Sequence, residues 1–425
     1  MMVVLSGPVP DALRDSLALS PFYAQHVDVH GLPILASARV NAQALDEAAW
    51  LIEHMIGHRP DVLQAMAKAG TRFVVMSVSE YTTDIPEHQD LYPRFWWDVR
   101  ARGLGATDIR PAVTCGEENL LALDGDPYAT ENILIHEFAH AIQDMGLVAI
   151  DPTFNGRLKQ AYDDAIAKGL WVGTYAATNH REYWAEGVQS WFDTNRSDDD
   201  QHNGMDTRDE LRMYDPGLAA LCSEIFGDGT WKYVNPRRRL PGTPGTEHLA
   251  EFDRVEGRSF HWTPSQRAAY EAENERRATT ARRPGEPTLV WLRRRCAANC
   301  PDAMLDLGCR FRDGEGVDKD HALARRWFAR AAIEGYPPAL DHLGWLQWQG
   351  DQSVRDLDQA RFNLERAARA GHVQAMLNMA RFDTEQGAAS RADRWWRMAA
   401  EHGHPEALGR VKSRARTVDK KDDTQ

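Results

Sequence analysis

The segment Ile133-Leu134-Ile135-His136-Glu137-Phe138-Ala139-His140-Ala141-Ile142 sets two histidines four residues apart inside an apolar run. In an α-helix four residues turn about 400°, so His136 and His140 share one face, one turn apart. Two imidazoles so placed can hold one zinc ion from the same side. Glu137 lies about 100° round the helix, close enough to touch a metal-bound water without ligating the metal. A carboxylate there can take the water's proton as it attacks a carbonyl. Bare five-residue matches to H-E-x-x-H are common, so the flanks decide. Here they are Ile, Leu, Ile, Phe, Ala, Ala and Ile, which predicts a helix buried on most sides. Two histidines and a glutamate would be costly there without partners, and a metal removes that cost.

A zinc hydrolase needs a third protein ligand and an open fourth position. The longer pattern H-E-x-x-H-x-x-G-x-x-H is excluded, because Gln143 and Gly146 occupy its glycine and last histidine places. Candidates lie in His180-Arg181-Glu182-Tyr183-Trp184-Ala185-Glu186-Gly187-Val188. Glu182 and Glu186 share a helix face. One can ligate zinc while the other orients a ligating histidine through its second ring nitrogen. Trp184, Val188, Trp191 and Phe192 mark an apolar face beside them, which favours a buried helix over an exposed acidic one. His180 reads as sitting near the helix start, away from the metal face. His202, His248 and His261 fall in loop-like stretches without a matching partner.

Around this centre, helical spacing predicts helices over 44–57, 60–68, 131–145, 153–169 and 180–195. Thr71–Val78 is rich in β-branched and aromatic residues and reads as a strand, with a short second strand at 110–114. Residues 82–130 read as irregular, with Trp96-Trp97 as core or cleft wall. Gly116-Glu117-Glu118-Asn119 and Asp124-Gly125-Asp126 read as turns. Pro and Gly break the pattern at 236–246 and 283–287, with a charged helix between, so a linker is placed at 236–288.

The 425 residues call for more than one core. Charge divides unevenly: residues 1–235 carry a net −18 and residues 236–425 a net +5. The acidic part repels phosphates, which makes it a poor nucleic-acid binder. Five cysteines, Cys115, Cys222, Cys296, Cys300 and Cys309, are too few and too scattered for a disulfide framework. They read as small packing residues, with a single disulfide as the alternative. The N-terminus lacks a basic start and long apolar stretch, and no run of eighteen apolar residues is present, so no membrane span is expected. The expected location is cytoplasmic, or secreted if a leader has been removed.

Beyond residue 289 the chain repeats. Asp302-Ala303-Met304, Pro338-Ala339-Leu340, Gln374-Ala375-Met376 and Glu406-Ala407-Leu408 align, as do Ala324–Phe328–Ala331-Ala332–Gly335, Ala360–Leu364–Ala367-Ala368–Gly371 and Ala392–Trp396–Ala399-Ala400–Gly403. A period near 36 with small residues at fixed helical offsets predicts stacked helix pairs, each closed by a left-handed cap. Leu289–Asn299 matches a second helix alone, with Asn299 in the glycine place. The third unit is shortened by four residues between its helices. These units resemble Sel-one-like repeats, relatives of the tetratricopeptide repeat. That resemblance implies an α-solenoid over 289–411, a protein partner bound through it, and no catalytic residues. Residues 412–425 are polar and expected to be disordered.

The first part resembles the gluzincin zinc metallopeptidases, most closely the lethal-factor-like peptidases and Pro-Pro endopeptidases. The resemblance rests on His136–His140 followed by Tyr175, Glu182 and Ala185-Glu186. Tyr175 stands seven residues before Glu182, and 46 residues separate His136 from Glu182. It implies an α+β zincin-like catalytic domain over 1–235, mostly helical with a small sheet, and one zinc ion per chain. It implies His136, His140 and Glu182 as ligands, Glu137 as the base, Tyr175 as an oxyanion donor, and Glu186 behind the ligands. The expected function is metalloendopeptidase action on a protein or peptide, with the repeats recruiting partner or substrate. The alternative is a non-proteolytic metal-binding scaffold whose working part is the solenoid.

Overall fold

The computed structural model describes residues 6–197, 199–239, 246–250, 252, 258–333, 335–411 and 413. The chain divides into two compact units: residues 1–15, 19–82 and 101–261 form the first, and residues 16–18, 83–100 and 262–425 the second.

The first unit is built on a mixed sheet of order β1-β2-β3-β4-β6-β5. Its strands are β1 (Gly7–Pro8), β2 (Gln25–Val29), β3 (Leu32–Ala36), β4 (Arg72–Met76), β5 (Gly103–Leu104) and β6 (Ala112–Gly116). The strands expected at 71–78 and 110–114 are β4 and β6, paired in parallel with Phe73 opposite Val113 and Val75 opposite Cys115. The antiparallel hairpin of β2 and β3 is an addition to the sequence reading. Its two-residue turn puts His30 and Gly31 at φ 52° and 93°, the paired left-handed geometry that suits the twist of a tight hairpin. β3, β4 and β6 are buried throughout, as central strands covered on both faces must be. β5 runs antiparallel to β6, Gly103 opposite Cys115, and forms the sheet edge.

Helices Ala42–Ile56, Pro60–Lys68, Ile133–Ala141, Phe154–Ala167 and His180–Trp191 close the core. The helix carrying His136 continues through a π-helical turn, Ile142–Leu147, to Ile150. Among the described residues, Ile133–Ile150 is the one helix long and apolar enough to cross a membrane, yet 67% of it is buried within the protein. Gly146 explains why no third histidine stands there: a Cβ would come 2.7 Å from Val62 Cγ1 of the helix Pro60–Lys68.

In the second unit, three helix pairs follow one another: Pro301–Asp313 with His321–Ile333, Pro337–Gln349 with Leu357–Arg369, and Val373–Glu385 with Ala389–Glu401. Thr288–Ala297 precedes them as a lone helix. Gly335, Gly371 and Gly403 adopt φ 77°, 88° and 82°, and Asn299 takes the same place at φ 54°. Gly308 and Gly344 sit where a Cβ would lie 2.5 Å from the Phe328 ring and 2.7 Å from Leu364 Cγ, so these glycines set how closely each pair packs. The connection 386–388 is four residues shorter than 314–320 and 350–356. Residues 83–100 and the helix Pro264–Thr279, read from sequence as first domain and linker, belong to this unit. Trp96 joins them: its indole N–H donates to Asn274 at 2.8 Å, and the Arg277 guanidinium lies 4.0 Å from its ring. All five cysteines are free thiols, so the single-disulfide alternative is not realised. The expectation for 412–425 falls outside the described residues, Ser413 apart.

Candidate metal centre

Two helices carry the centre, and each is started by an asparagine. Asn132 accepts the Ile135 amide at 3.1 Å, and Asn179 accepts those of Arg181 and Glu182 at 2.9 and 3.1 Å. Such caps satisfy amides that a helix start leaves without partners. The approach to Ile133 is fixed by buried Asn119, which accepts the Ile133 amide at 2.9 Å and donates to the carbonyls of Tyr128 and Glu131. Neighbouring Glu118 pairs at 2.6 Å with fully buried Arg102, and Glu117 accepts the amides of Asn41 and Val78. Glu117–Leu120 form a short helix rather than the expected turn, and its two glutamates are scaffold. Trp184 ties the two helices together by donating its indole N–H to the Ala139 carbonyl at 2.9 Å. Gly187 lets the second helix press against Pro216–Phe226, since a Cβ there would lie 2.4 Å from Leu218 Cδ2.

This packing brings His136, His140 and Glu182 together, with one potential ligand atom from each lying within 4.8 Å of the others. Glu182 Oε2 is 3.3 Å from His136 Nε2 and 3.4 Å from His140 Nε2. That oxygen is buried and makes no hydrogen bond. The two facing imidazoles offset part of the cost of burying that oxygen, and a cation between it and the two ring nitrogens would satisfy all three. The donor set, two nitrogens and one carboxylate, suits zinc.

The orientation of His136 is settled behind it. Gln189 donates its amide N–H to Glu131 Oε2 at 2.9 Å, which fixes which end of the amide is which. Gln189 Oε1 therefore faces His136 Nδ1 at 2.8 Å and must accept from it. With Nδ1 protonated, Nε2 is the nitrogen left for a metal. Glu186 Oε1 stands further from the same Nδ1, at 3.5 Å, so where a carboxylate orienter was expected a glutamine makes the closer contact. Gln189 lies seven residues after Glu182 and three after Glu186, on their helix face, a spacing from which it was legible.

Glu186 faces the other way as well. Its Oε2 is 3.3 Å from His202 Nε2 and accepts from Asn195 at 3.1 Å, while His202 Nδ1 meets Asp199 at 2.7 Å. The reading of His202 as lacking a partner is thereby corrected: the loop folds back over the helix, a non-local contact that loop composition does not encode. His248 is corrected likewise, for its Nε2 lies 2.8 Å from buried Glu47, which also pairs with Arg239. His180 stays at the helix start, as read.

Burial disfavours charge on His136, but the carboxylates of Glu182, Glu137 and Glu186 outweigh it and push the imidazole up to about 10. Burial would raise Glu182, yet the two facing imidazoles hold it well below the ordinary carboxylate range. For His202, burial is again overcome, here by Glu186, and the shift is upward. Without a metal, the surroundings favour His136 as imidazolium facing the Glu182 carboxylate.

Glu137 faces the sheet edge. Its Cγ lies 3.0 Å from where a Cβ on Gly103 would be, and its Oε2 3.5 Å from the same point on Gly105. Gly103 in strand β5 and Gly105 just after it thus let this stretch run close beside Glu137. The Tyr175 ring stacks toward His136 with centroids 6.3 Å apart and planes at 29°. Its backbone is anchored by an N–H bond of 2.7 Å to the Gln201 carbonyl.

Comparison with known proteins bears on the second unit. The model of the Sel1 repeat matches residues 301–336, 337–372 and 384–404. Among solved structures, a Sel1 repeat protein from Oxalobacter formigenes is 28% identical over 29% of this chain and 97% of that one, with a TM-score of 0.26. A protective antigen of uropathogenic Escherichia coli strains displaying an SLR fold, c5321, is 31% identical over 28% of this chain and 27% of its own, also with a TM-score of 0.26. No curated protein matches the chain. Residues 301–404 are a run of Sel1 repeats.

Proposed function

We propose that the first unit is a zinc-dependent peptidase of the gluzincin type, with His136, His140 and Glu182 as ligands. The observation that carries this reading is the convergence of Glu182 Oε2, buried and without a hydrogen bond, on the Nε2 atoms of two histidines in H-E-x-x-H. The resemblance to lethal-factor-like and Pro-Pro endopeptidases supports the roles of the surrounding residues. When bound, zinc supplies Lewis acidity at the scissile carbonyl and acidifies water. Glu137 accepts the proton of the attacking water and passes it to the leaving amine. The Tyr175 hydroxyl donates to the oxygen on which negative charge develops. Gln189, held by Glu131, keeps His136 in its ligating tautomer. Strand β5 offers an extended peptide an edge to pair with, beside Glu137. The Sel1 repeats fit a role in recruiting the protein substrate or a partner.

The test is a peptide-library cleavage assay on zinc-loaded wild type and Glu137→Ala. Cleavage by the wild type, with zinc kept but turnover reduced at least about 100-fold in the variant, is expected. Equal turnover in both contradicts the assignment of the base. Stoichiometric zinc with no cleavage in either would favour the metal-binding scaffold.

A further inference from the structure

Between the second helices of the first two repeats lies a groove of about 580 Å³. Arg325 and Arg326 line one side and Arg366 the other, and among the described residues no Asp or Glu lines it. All three arginines are exposed, and none forms an ion pair with a described carboxylate; Arg366 lies 5.4 Å from the Phe362 ring. The groove also carries two large apolar side chains turned to solvent, Ile333 at 83% and Phe362 at 55% exposure. At its base the Asn363 amide donates to Gln347 Oε1 at 2.8 Å, so two buried amides sit beneath the apolar pair.

The next repeat supplies an internal comparison. The place of Arg325 is taken there by Arg361, which pairs with fully buried Asp383 at 3.1 Å. The nearby Glu365 is held by Arg369 at 2.6 Å. At this second junction the equivalent arginine thus has a carboxylate built in beside it. At the first junction three arginines line one groove with no described carboxylate among its lining residues, although the whole chain carries a net charge of −13. Guanidinium forks recognise carboxylates in two-pronged fashion, and exposed apolar side chains between them anchor side chains of like character.

We propose that this groove binds an acidic peptide segment that carries an apolar anchor, its carboxylates on Arg325, Arg326 and Arg366 and its anchor on Ile333 and Phe362. The apolar pair and the amides beneath favour a peptide over a nucleic-acid strand. The proposal does not depend on the peptidase reading of the first unit.

The experiment is selection from a random peptide display library on the full-length protein, followed by anisotropy titration of a labelled selected peptide. The variants are Arg325→Glu/Arg366→Glu, Phe362→Ser, and Arg394→Glu as a control on a different helix. Circular dichroism and thermal unfolding confirm that each is folded. Selected peptides should be enriched in Asp and Glu flanking Leu, Ile or Phe. Affinity should fall at least tenfold in the charge-reversal variant and in Phe362→Ser, and stay within twofold for Arg394→Glu. Failure to enrich peptides, enrichment without acidic bias, or equal loss in the control would overturn the proposal. So would tighter binding of a labelled oligouridylate than of any selected peptide.

Discussion

At the scale of single residues, the centre is an arrangement in which each polar group has one role. His136 and His140 offer ring nitrogens for a metal, Glu182 turns a buried oxygen toward them, and Gln189 decides which imidazole nitrogen of His136 is available. Replacing Gln189 by leucine removes the acceptor for Nδ1–H without touching a ligand. Zinc affinity is expected to fall by about 10- to 100-fold, read by competition with a chromogenic chelator. An unchanged affinity would show that the glutamine does not orient the ring. A pH consequence follows from the upward shift of His136 to about 10. A raised folded-state value means that the protonated imidazole stabilises the metal-free protein fully below its unfolded value near 6.5, and that this contribution is lost as pH rises through about 10. At pH 7 zinc must therefore displace that proton. Calorimetry in buffers of different ionisation enthalpy should show release of about one proton per zinc, with affinity rising with pH. Binding without proton release would mean that His136 is neutral in the metal-free protein.

At the scale of elements, the centre depends on two helices held at close range. Trp184 bonds across to Ala139, and Gly187 admits Leu218 at a distance where no Cβ fits. Gly187→Ala adds a methyl group to a packed contact and should cost about 1–3 kcal/mol, seen as a lower denaturant midpoint with unchanged slope. Wild-type stability in this variant would mean that Leu218 can move aside. These elements were legible in the sequence to different degrees. The helix Ile133–Ala141 and the repeats were, because their signals are periodic and local: apolar residues at helical spacing, and Ala and Gly at fixed offsets. The β2–β3 hairpin was not, because five-residue strands carry little periodic signal and the His30-Gly31 turn departs from the common Asn-Gly and Asp-Gly pairs. His202 and His248 escaped for a different reason. Their partners Glu186 and Glu47 are distant in sequence or across a fold-back, and spacing along one helix does not reveal them.

At the scale of the whole molecule, two units with separate cores are expected to respond separately to metal. A ligand that binds only the folded first unit stabilises it by about 2.7 kcal/mol at a concentration 100 times its dissociation constant. Calorimetric scans with zinc and with chelator should move one transition and leave the transition of the repeats in place. Equal movement of both would mean that the units unfold as one. The division also shows how far sequence reading reached. Composition and proline placed a break near 236–288, but the helix Pro264–Thr279 inside it joins the second unit through Trp96, a tertiary contact with a segment from the first hundred residues.

The function proposed for the first unit turns on the metal. Its most direct test is zinc per chain by elemental analysis after mild chelator washing, on wild type and on separate Glu182→Ala and Glu186→Ala variants. The expected result is about one zinc in the wild type, lost with Glu182→Ala and largely kept with Glu186→Ala. Loss with Glu186→Ala and retention with Glu182→Ala would contradict the ligand set, and no bound zinc in the wild type after reloading would contradict the metal centre itself.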